Sequence, residues 1–458
     1  MVQCIIGIML KFNKLFGVMA LLLVVGCHDA YSIPRVQPVH GGAGEVLVKD
    51  AETFRTAVKA AVPGTVIVWA DGEYSDISLK LTADGSEESP VVLRAQTPGK
   101  VVFKGHSSIQ LQGSWLVAEG FSFTSLDTSV KGSVLTFAKG CSNCRISHCK
   151  IDGKGSRVSD VDTKWVSMYG QYNEISHCTF LEKKNMGCLL VVWMEDGIVP
   201  YHTISDNYFY RPYTHYDENG KARNGQEAIR IGTSDFSMND AFCYVSGNWF
   251  YRCNGERAEI ISNKSCHNVY EENLFEEGEG SLTLRHGNDC TVRGNYFLSG
   301  GRGEVGGVRI IGERHLVEGN WFLNLTGSNY KAALCVVTGE TGAALNGYWT
   351  AIDCKVKDNY FVDCYSGIVV NYGARSTQDS APANLLVSGN TLVSGKSSMN
   401  PVIVMPGTPP SAVIWESNTI YGGKQKGVSL GTVKEKPEIV LPTDAISKIR
   451  NNAGIQWK

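Results

Sequence analysis

The sequence predicts an all-β chain wound as a single-stranded, right-handed parallel β-helix, a solenoid with one short helix capping its N-terminal end. Three observations predict it. A short phrase returns along the chain at a near-constant spacing. Helical periodicity is almost absent. Glycine is abundant (50 residues) and proline modest (14), which suits turn-rich β structure rather than disorder.

The phrase reads ISHCKI from position 146, ISHCTF from 175, ISDNYF from 204 and VSGNWF from 245. It continues as VYEENLF from 269, VRGNYF from 292, VEGNWF from 317 and VKDNYF from 356, and fades as VSGNTL from 387 and WESNTI from 415. Asn248, Asn273, Asn295 and Asn320 follow one another at intervals of 25, 22 and 25 residues. A period in the twenties with strand–turn–strand content is the mark of a solenoid. The longer steps from Asn207 to Asn248 and from Asn320 to Asn359 leave room for loops. Asn tolerates left-handed backbone angles and bonds its own backbone, so it is expected at the bend between two strands, stacked in a ladder. The Phe, Trp and Tyr that follow are expected to point inward and stack as well. Segment 50–61, DAETFRTAVKAA, is amphipathic and opens on a capping Asp50; it is expected to cover the open N-terminal end, which every solenoid must protect. The β-helix is predicted over 45–425, with the more charged tail 426–458 packed on its outside.

Ahead of the coil, Lys11 and Lys14 precede an apolar run from Leu15 to Val25. A basic segment followed by a short apolar one predicts a secretory signal over 1–26, with 27–44 as linker. Its ending, VVGC, resembles a bacterial lipobox, which implies cleavage before Cys27 and lipid on its thiol; an ordinary signal peptide is the plainer alternative. The expectation is an exported bacterial protein, in the periplasm or on the outer membrane, touching a membrane only through Cys27. No second apolar segment has transmembrane length. A formal net charge of −2 argues against nucleic acid as a partner, so an anionic partner has to be met by a local basic cleft. Of 14 cysteines, Cys4 and Cys27 fall in the leader. The run Cys141–Ser142–Asn143–Cys144 to Cys149 suggests zinc on the surface of it, but Cys149 and Cys178 recur at one phrase position and read as stacked core residues.

The candidate site is a set of cations. Lys264, Arg285 and Arg309 are 21 and 24 residues apart, near one repeat, which places them on neighbouring rungs of one sheet about 5 Å apart. Like charges on successive rungs repel, and a purely structural coil gains nothing from them. A site that binds a polyanion and removes a proton does. β-Elimination on a uronic acid fits: a base takes the C5 proton and positive charge holds the carboxylate as it gains charge. Lys264 would be the base, Arg285 would neutralise the carboxylate or assist the leaving oxygen, and Arg309 would bind the neighbouring acidic sugar.

The blocks NGQEAIRIG (224–232), RAEIISNKS (257–265) and LTLRHGN (282–288), set in a coil of this period, resemble polysaccharide lyase family six, which contains alginate lyases and chondroitin B (dermatan sulfate) lyases. The resemblance implies that Lys264 is the catalytic base, Arg285 the catalytic arginine and Arg309 a substrate-binding arginine, with alginate, mannuronate-rich above all, as the substrate. Many members carry an acidic pair, Glu-x-Glu, before the lysine and hold calcium with it. Here that stretch is Arg257-Ala258-Glu259, and a cation in the first place opposes a calcium site. The favoured expectation is therefore no cofactor, with Arg257 standing in for the ion directly or by ordering Glu259. The alternative keeps calcium on Glu227, Glu259 and backbone oxygens, with Arg257 turned away. Glu227, Glu259, Arg257, Asn263 and His286 are all placed as substrate contacts. Tyr213, Tyr216, Trp349 and Tyr372 are aromatic candidates for stacking on sugars. The competing readings are dermatan sulfate lyase, uronate C5-epimerase and a non-catalytic polysaccharide-binding solenoid. A glycosidase is disfavoured, because no suitably paired carboxylates are found.

Overall fold

A computed structural model describes residues 44–129 and 131–457. The expected leader 1–26, Cys27 and nearly all of the linker lie outside the described residues. The chain winds through three parallel sheets of 14, 13 and 12 strands. Each turn adds one strand to the first sheet, one to the second and one to the third, then returns to the first. The strands pair in parallel from turn to turn, as in Ile204↔Val245↔Tyr270↔Val292↔Val317↔Val356. This is the expected parallel β-helix.

The helix Ala51–Ala60 lies between the first two strands of the first sheet, where a regular turn would place strands of the other two sheets. Asp50 caps it, accepting from the amides of Glu52 and Thr53. Its buried Phe54 packs on Trp69 at the bottom of the core, with ring centroids 5.8 Å apart. Among the described residues no helix is long and apolar enough to cross a membrane.

The phrase builds the bend between the first and second sheets. Each Asn side-chain oxygen accepts both the backbone N–H and the side-chain NH₂ of the Asn one turn earlier, from Asn207 to Asn418, at 2.9–3.1 Å. The bend leaves these amides without a ladder partner, so each rung satisfies the one before it. The left-handed residue is not the Asn but the one ahead of it: Asp206, Gly247, Glu272, Gly294, Gly319, Asp358, Gly389 and Ser417 all have positive φ. Two residues after each Asn from Asn207 to Asn359, Phe209, Phe250, Phe275, Phe297, Phe322 and Phe361 stack inside the coil with centroids 4.6–4.9 Å apart. Inward stacking is thus a property of Phe alone. The Trp and Tyr next to Asn point outward by strand alternation. Trp249, Tyr296 and Trp321 pack instead with the tail helix Thr443–Asn452, through Ile446 and Ile449. Arg450 pairs with Glu276 at 2.5 Å on the same face.

All twelve described cysteines are free and buried. The backbone N–H of Cys149 points at the sulfur of Cys178 one turn on, 3.5 Å away, so these two stack as core residues. Among the described residues the group able to hold a metal ion contains no cysteine.

Candidate active site

The outer face of the third sheet carries the candidate residues. Three of its strands, Glu259–Lys264, Gly280–His286 and Val305–Ile310, pair in that order. Alternation sends Ile261, Leu282, Leu284, Val308 and Ile310 into the core and leaves Lys264 and Arg285 outside, each half-buried. The pairing is not regular. Its register shifts between Glu259 and Ile261 and again between Asn263 and Lys264, so Lys264 pairs with His286 and Arg285 bulges between. Bulges of this kind re-aim side chains beside functional sites. Arg309 pairs with Thr283, two residues earlier along its neighbour. The three cations therefore occupy adjacent rungs but not one row, which corrects the side-by-side arrangement expected from spacing.

Arg285 is held from the far side. Its guanidinium donates to the carbonyls of Gly347 (3.0 Å) and Asn346 (3.3 Å) and lies 4.3 Å from the ring centroid of Tyr348. Lys264 forms no ion pair among the described residues. His286 is buried between Ser237 Oγ (3.1 Å) and the Asn346 carbonyl (3.2 Å). Burial, with the charges of Arg285 and Lys264, pushes its pKa down to about 3, so it sits in the site as a neutral, fixed imidazole rather than as a proton shuttle.

Asn263 corrects the sequence reading. It is fully buried on the inner face of the coil. Its NH₂ donates to the carbonyls of Ser265 (2.8 Å) and His286 (2.7 Å), and its oxygen accepts from Asn268 (2.8 Å) and the Tyr270 hydroxyl (2.7 Å). With all its polar atoms engaged inside the protein, it fastens the backbone at the bulge.

Arg257 is the second correction. Its backbone is left-handed, at φ 61°, and its guanidinium turns to Glu279 (2.5 Å) and the Tyr216 hydroxyl (3.3 Å). It does not occupy the place of an ion. The missing acid comes from its neighbour: one oxygen each from Glu227, Glu256 and Glu259 lie within 4.8 Å of one another, all three residues buried. The sequence reading missed Glu256, because strict spacing from Lys264 points to position 257. Burial, then the charges of Glu227 and Glu259, push the pKa of Glu256 up to about 8. Burial raises that of Glu227 too, while Arg230 opposes the rise. Glu259 is ion-paired with Arg309, so Arg309 meets a carboxylate of the protein here.

Oxygens within 4.8 Å of one another can all reach one Ca²⁺ at about 2.4 Å each. Within this group Glu227 Oε2 is buried without a hydrogen-bond partner, unusual for native polar groups. The residues fit a hard divalent cation.

Of the aromatic candidates, Trp349 and Tyr372 pack on Ile311, Cys335, Val337 and Val369, on the outer face beyond Arg309. Tyr213 sits under the Lys184 ammonium, 4.8 Å away, and Tyr216 holds Arg257. Arg230 and Tyr330 were missed. Arg230 follows Glu227 by three residues inside a block quoted for other reasons, and its value lies in the Trp193 ring it lies over. Tyr330 lies against Arg309, 5.5 Å from guanidinium to ring.

One outer face of this parallel β-helix thus carries a lysine with no ion pair among the described residues, a bulged arginine and a buried carboxylate group. A family model described as Chondroitinase B matches residues 48–457. The chain therefore belongs to this family of polysaccharide lyases, polysaccharide lyase family six. Among solved structures, the alginate lyase AlyGC is 30% identical with a TM-score of 0.77, over 90% of this chain and 57% of its own length. The chain thus spans little more than half of that protein. A mannuronic acid specific family six lyase from human gut microbiota is 25% identical with a TM-score of 0.78, over 91% of this chain and 97% of its own. A family six lyase of Pseudopedobacter saltans, 24% identical with a TM-score of 0.69 over 91% and 100%, bears on the fold alone. None of the curated proteins compared with it matches in sequence.

Proposed function

We propose that this lyase depolymerises alginate, mannuronate-rich blocks above all, by β-elimination at C5 of a uronate. The observation that carries the reading is Lys264: a half-buried lysine with no carboxylate partner among the described residues, beside a bulged arginine. Family membership supports the reaction class, and likeness to a mannuronic acid specific enzyme supports the substrate.

Lys264, as the free amine, takes the C5 proton. The C–H electron pair becomes the C4–C5 double bond, and the C4–O bond breaks. The Lys264 ammonium, now carrying the abstracted proton, supplies the one the leaving oxygen needs. Arg285, fixed by Gly347, Asn346 and Tyr348, needs no reorganisation to stand against the carboxylate as it gains charge. Glu227, Glu256 and Glu259 would hold calcium; when bound, the ion supplies positive charge to the substrate carboxylate. In place of the calcium-free site expected from Arg257, the proposal is thus an ion whose third acid is Glu256. The leader supports export with a lipid on Cys27, which radiolabelled palmitate incorporation in wild type but not Cys27→Ala would test.

The deciding experiment follows unsaturated uronate by ultraviolet absorbance on polymannuronate, polyguluronate and dermatan sulfate. A rise on polymannuronate, lost by about 10³-fold or more in Lys264→Ala while that variant still binds the polymer, is the expected result. A rise only on dermatan sulfate moves the substrate to the runner-up, which the family model's own description supports. Isomerised uronate with no absorbance rise makes the protein an epimerase. Binding without either product leaves a binding solenoid.

A further inference from the structure

One outward column of the third sheet runs through the site. Met168, Val192, Ile231 and Asn263 pair turn by turn and face inward. The residue after each faces out, so Tyr169, Trp193, Gly232 and Lys264 stand on four successive rungs of one column. Gly232 is forced: its φ is 87°, and a Cβ there would lie 2.4 Å from the Lys264 carbonyl oxygen. The rung between Trp193 and Lys264 therefore carries no side chain in this column, although Gly232 itself is buried, and about 10 Å separate the flanking side chains' strands.

That bare rung is furnished from its sides. The Arg230 guanidinium, from the same strand as Gly232, lies over the Trp193 ring, 5.5 Å from its centroid. Arg230 has no ion-pair partner within 4.0 Å among the described residues, and its Nε is buried without a hydrogen-bond partner. Trp193 is itself braced: its Nε1–H donates to Ser167 Oγ (3.0 Å), and its far face stacks on Tyr169 with centroids 5.8 Å apart and planes 10° from parallel. Lys139 closes the outer end over Tyr169, paired with Glu195. A planar cation on an aromatic face keeps its hydrogen-bonding edge free. A gap in the side-chain column, a ring wall and a guanidinium with donors to spare make a place for one acidic sugar.

We propose that Arg230, carried on Trp193, is the carboxylate-binding cation of a sugar subsite seated over Gly232, one rung before Lys264. The proposal rests on the polyuronate reading above and adds a recognition site on the N-terminal side of the base. Trp193 acts as a positioning residue, through Arg230.

The test compares wild type with Arg230→Gln and Trp193→Ala on a ladder of oligomannuronates, reading KM and kcat separately. The expected result is a KM raised on the order of 10-fold, the worth of one charge-assisted contact, with kcat within about threefold. The defect grows with oligomer length until the subsite is spanned, and Arg230→Lys restores part of it. An unchanged KM, a fall in kcat alone, or a defect independent of length overturns the proposal. Should Arg230→Gln fail to fold, judged by its melting temperature, the Trp193→Ala length dependence decides. Should wild type cleave no uronate, the parent reading fails by itself. Calorimetric binding of a mannuronate hexamer to wild type and the two variants then decides the subsite: equal affinities overturn it, and weaker variant binding sustains it.

Discussion

The bend between the first and second sheets and the outer face of the third sheet are built from the same coil by opposite rules. At the bend rung after rung repeats from Asn207 to Asn359: Asn on Asn, Phe on Phe, each Asn amide answered by the next rung. At the site the register breaks twice within one strand pair, carboxylates crowd together, and buried atoms of Glu227, Arg230, Ser262 and Arg309 lack partners. Unanswered polar groups are costly inside a protein. The regular face supplies the stability that lets the irregular face keep groups which a ligand must answer.

The largest effect should come from breaking the regular side. Phe297→Ala removes a ring stacked between Phe275 and Phe322 and should cost about 3–5 kcal/mol, read by chemical denaturation. Turnover at low temperature should stay near wild type, since the ring lies far from Lys264 in the turn. A loss of activity without a loss of stability would erase the division of labour.

Two histidines sharpen the comparison from the core. His202 and His315 stand where Asn stands in other turns, their Nδ1 accepting the backbone N–H of Asn173 (3.1 Å) and Cys290 (3.2 Å). Burial depresses their pKa values to about 3 and about 4, below an unfolded value near 6.5. Both are neutral in the fold, so their contribution is complete above about pH 6.5 and is lost as pH falls towards the folded values. Each should cost about 1.4 kcal/mol per pH unit in that window. His202→Asn with His315→Asn keeps an acceptor at each place and should flatten the acid limb of stability between pH 6.5 and 4.5. An acid limb unchanged by the pair would show that the loss arises elsewhere.

The smallest effect probes the irregular side. Calcium at ten times its dissociation constant should stabilise wild type by about 1.4 kcal/mol, read by melting with and without chelator. Glu256→Gln should abolish that increment. In chelator it should be at least as stable as wild type, because it removes one of three crowded carboxylates while leaving an acceptor for the Gly225 amide. A calcium response that survives in Glu256→Gln would return the ion to Glu227 and Glu259 alone.

By itself, the sequence determined the coil. Its period is local and repeated, and each rung is stabilised by a copy of itself, so the Asn ladder, the Phe stack and the rung addresses of Lys264 and Arg285 were all legible. Direction was not. Whether Trp249 faces in or out follows from one residue of alternation after the bend, and that bend places its left-handed angle ahead of the Asn. Tertiary structure alone decided that Arg257 turns to Glu279, that Glu256 joins Glu227 and Glu259, that Asn263 is locked inside, and that Arg230 rests on Trp193. These depend on bulges and on loops from distant rungs. A register slip of one residue reverses the face of every side chain beyond it, and the packing that produces the slip involves residues that no periodic pattern names.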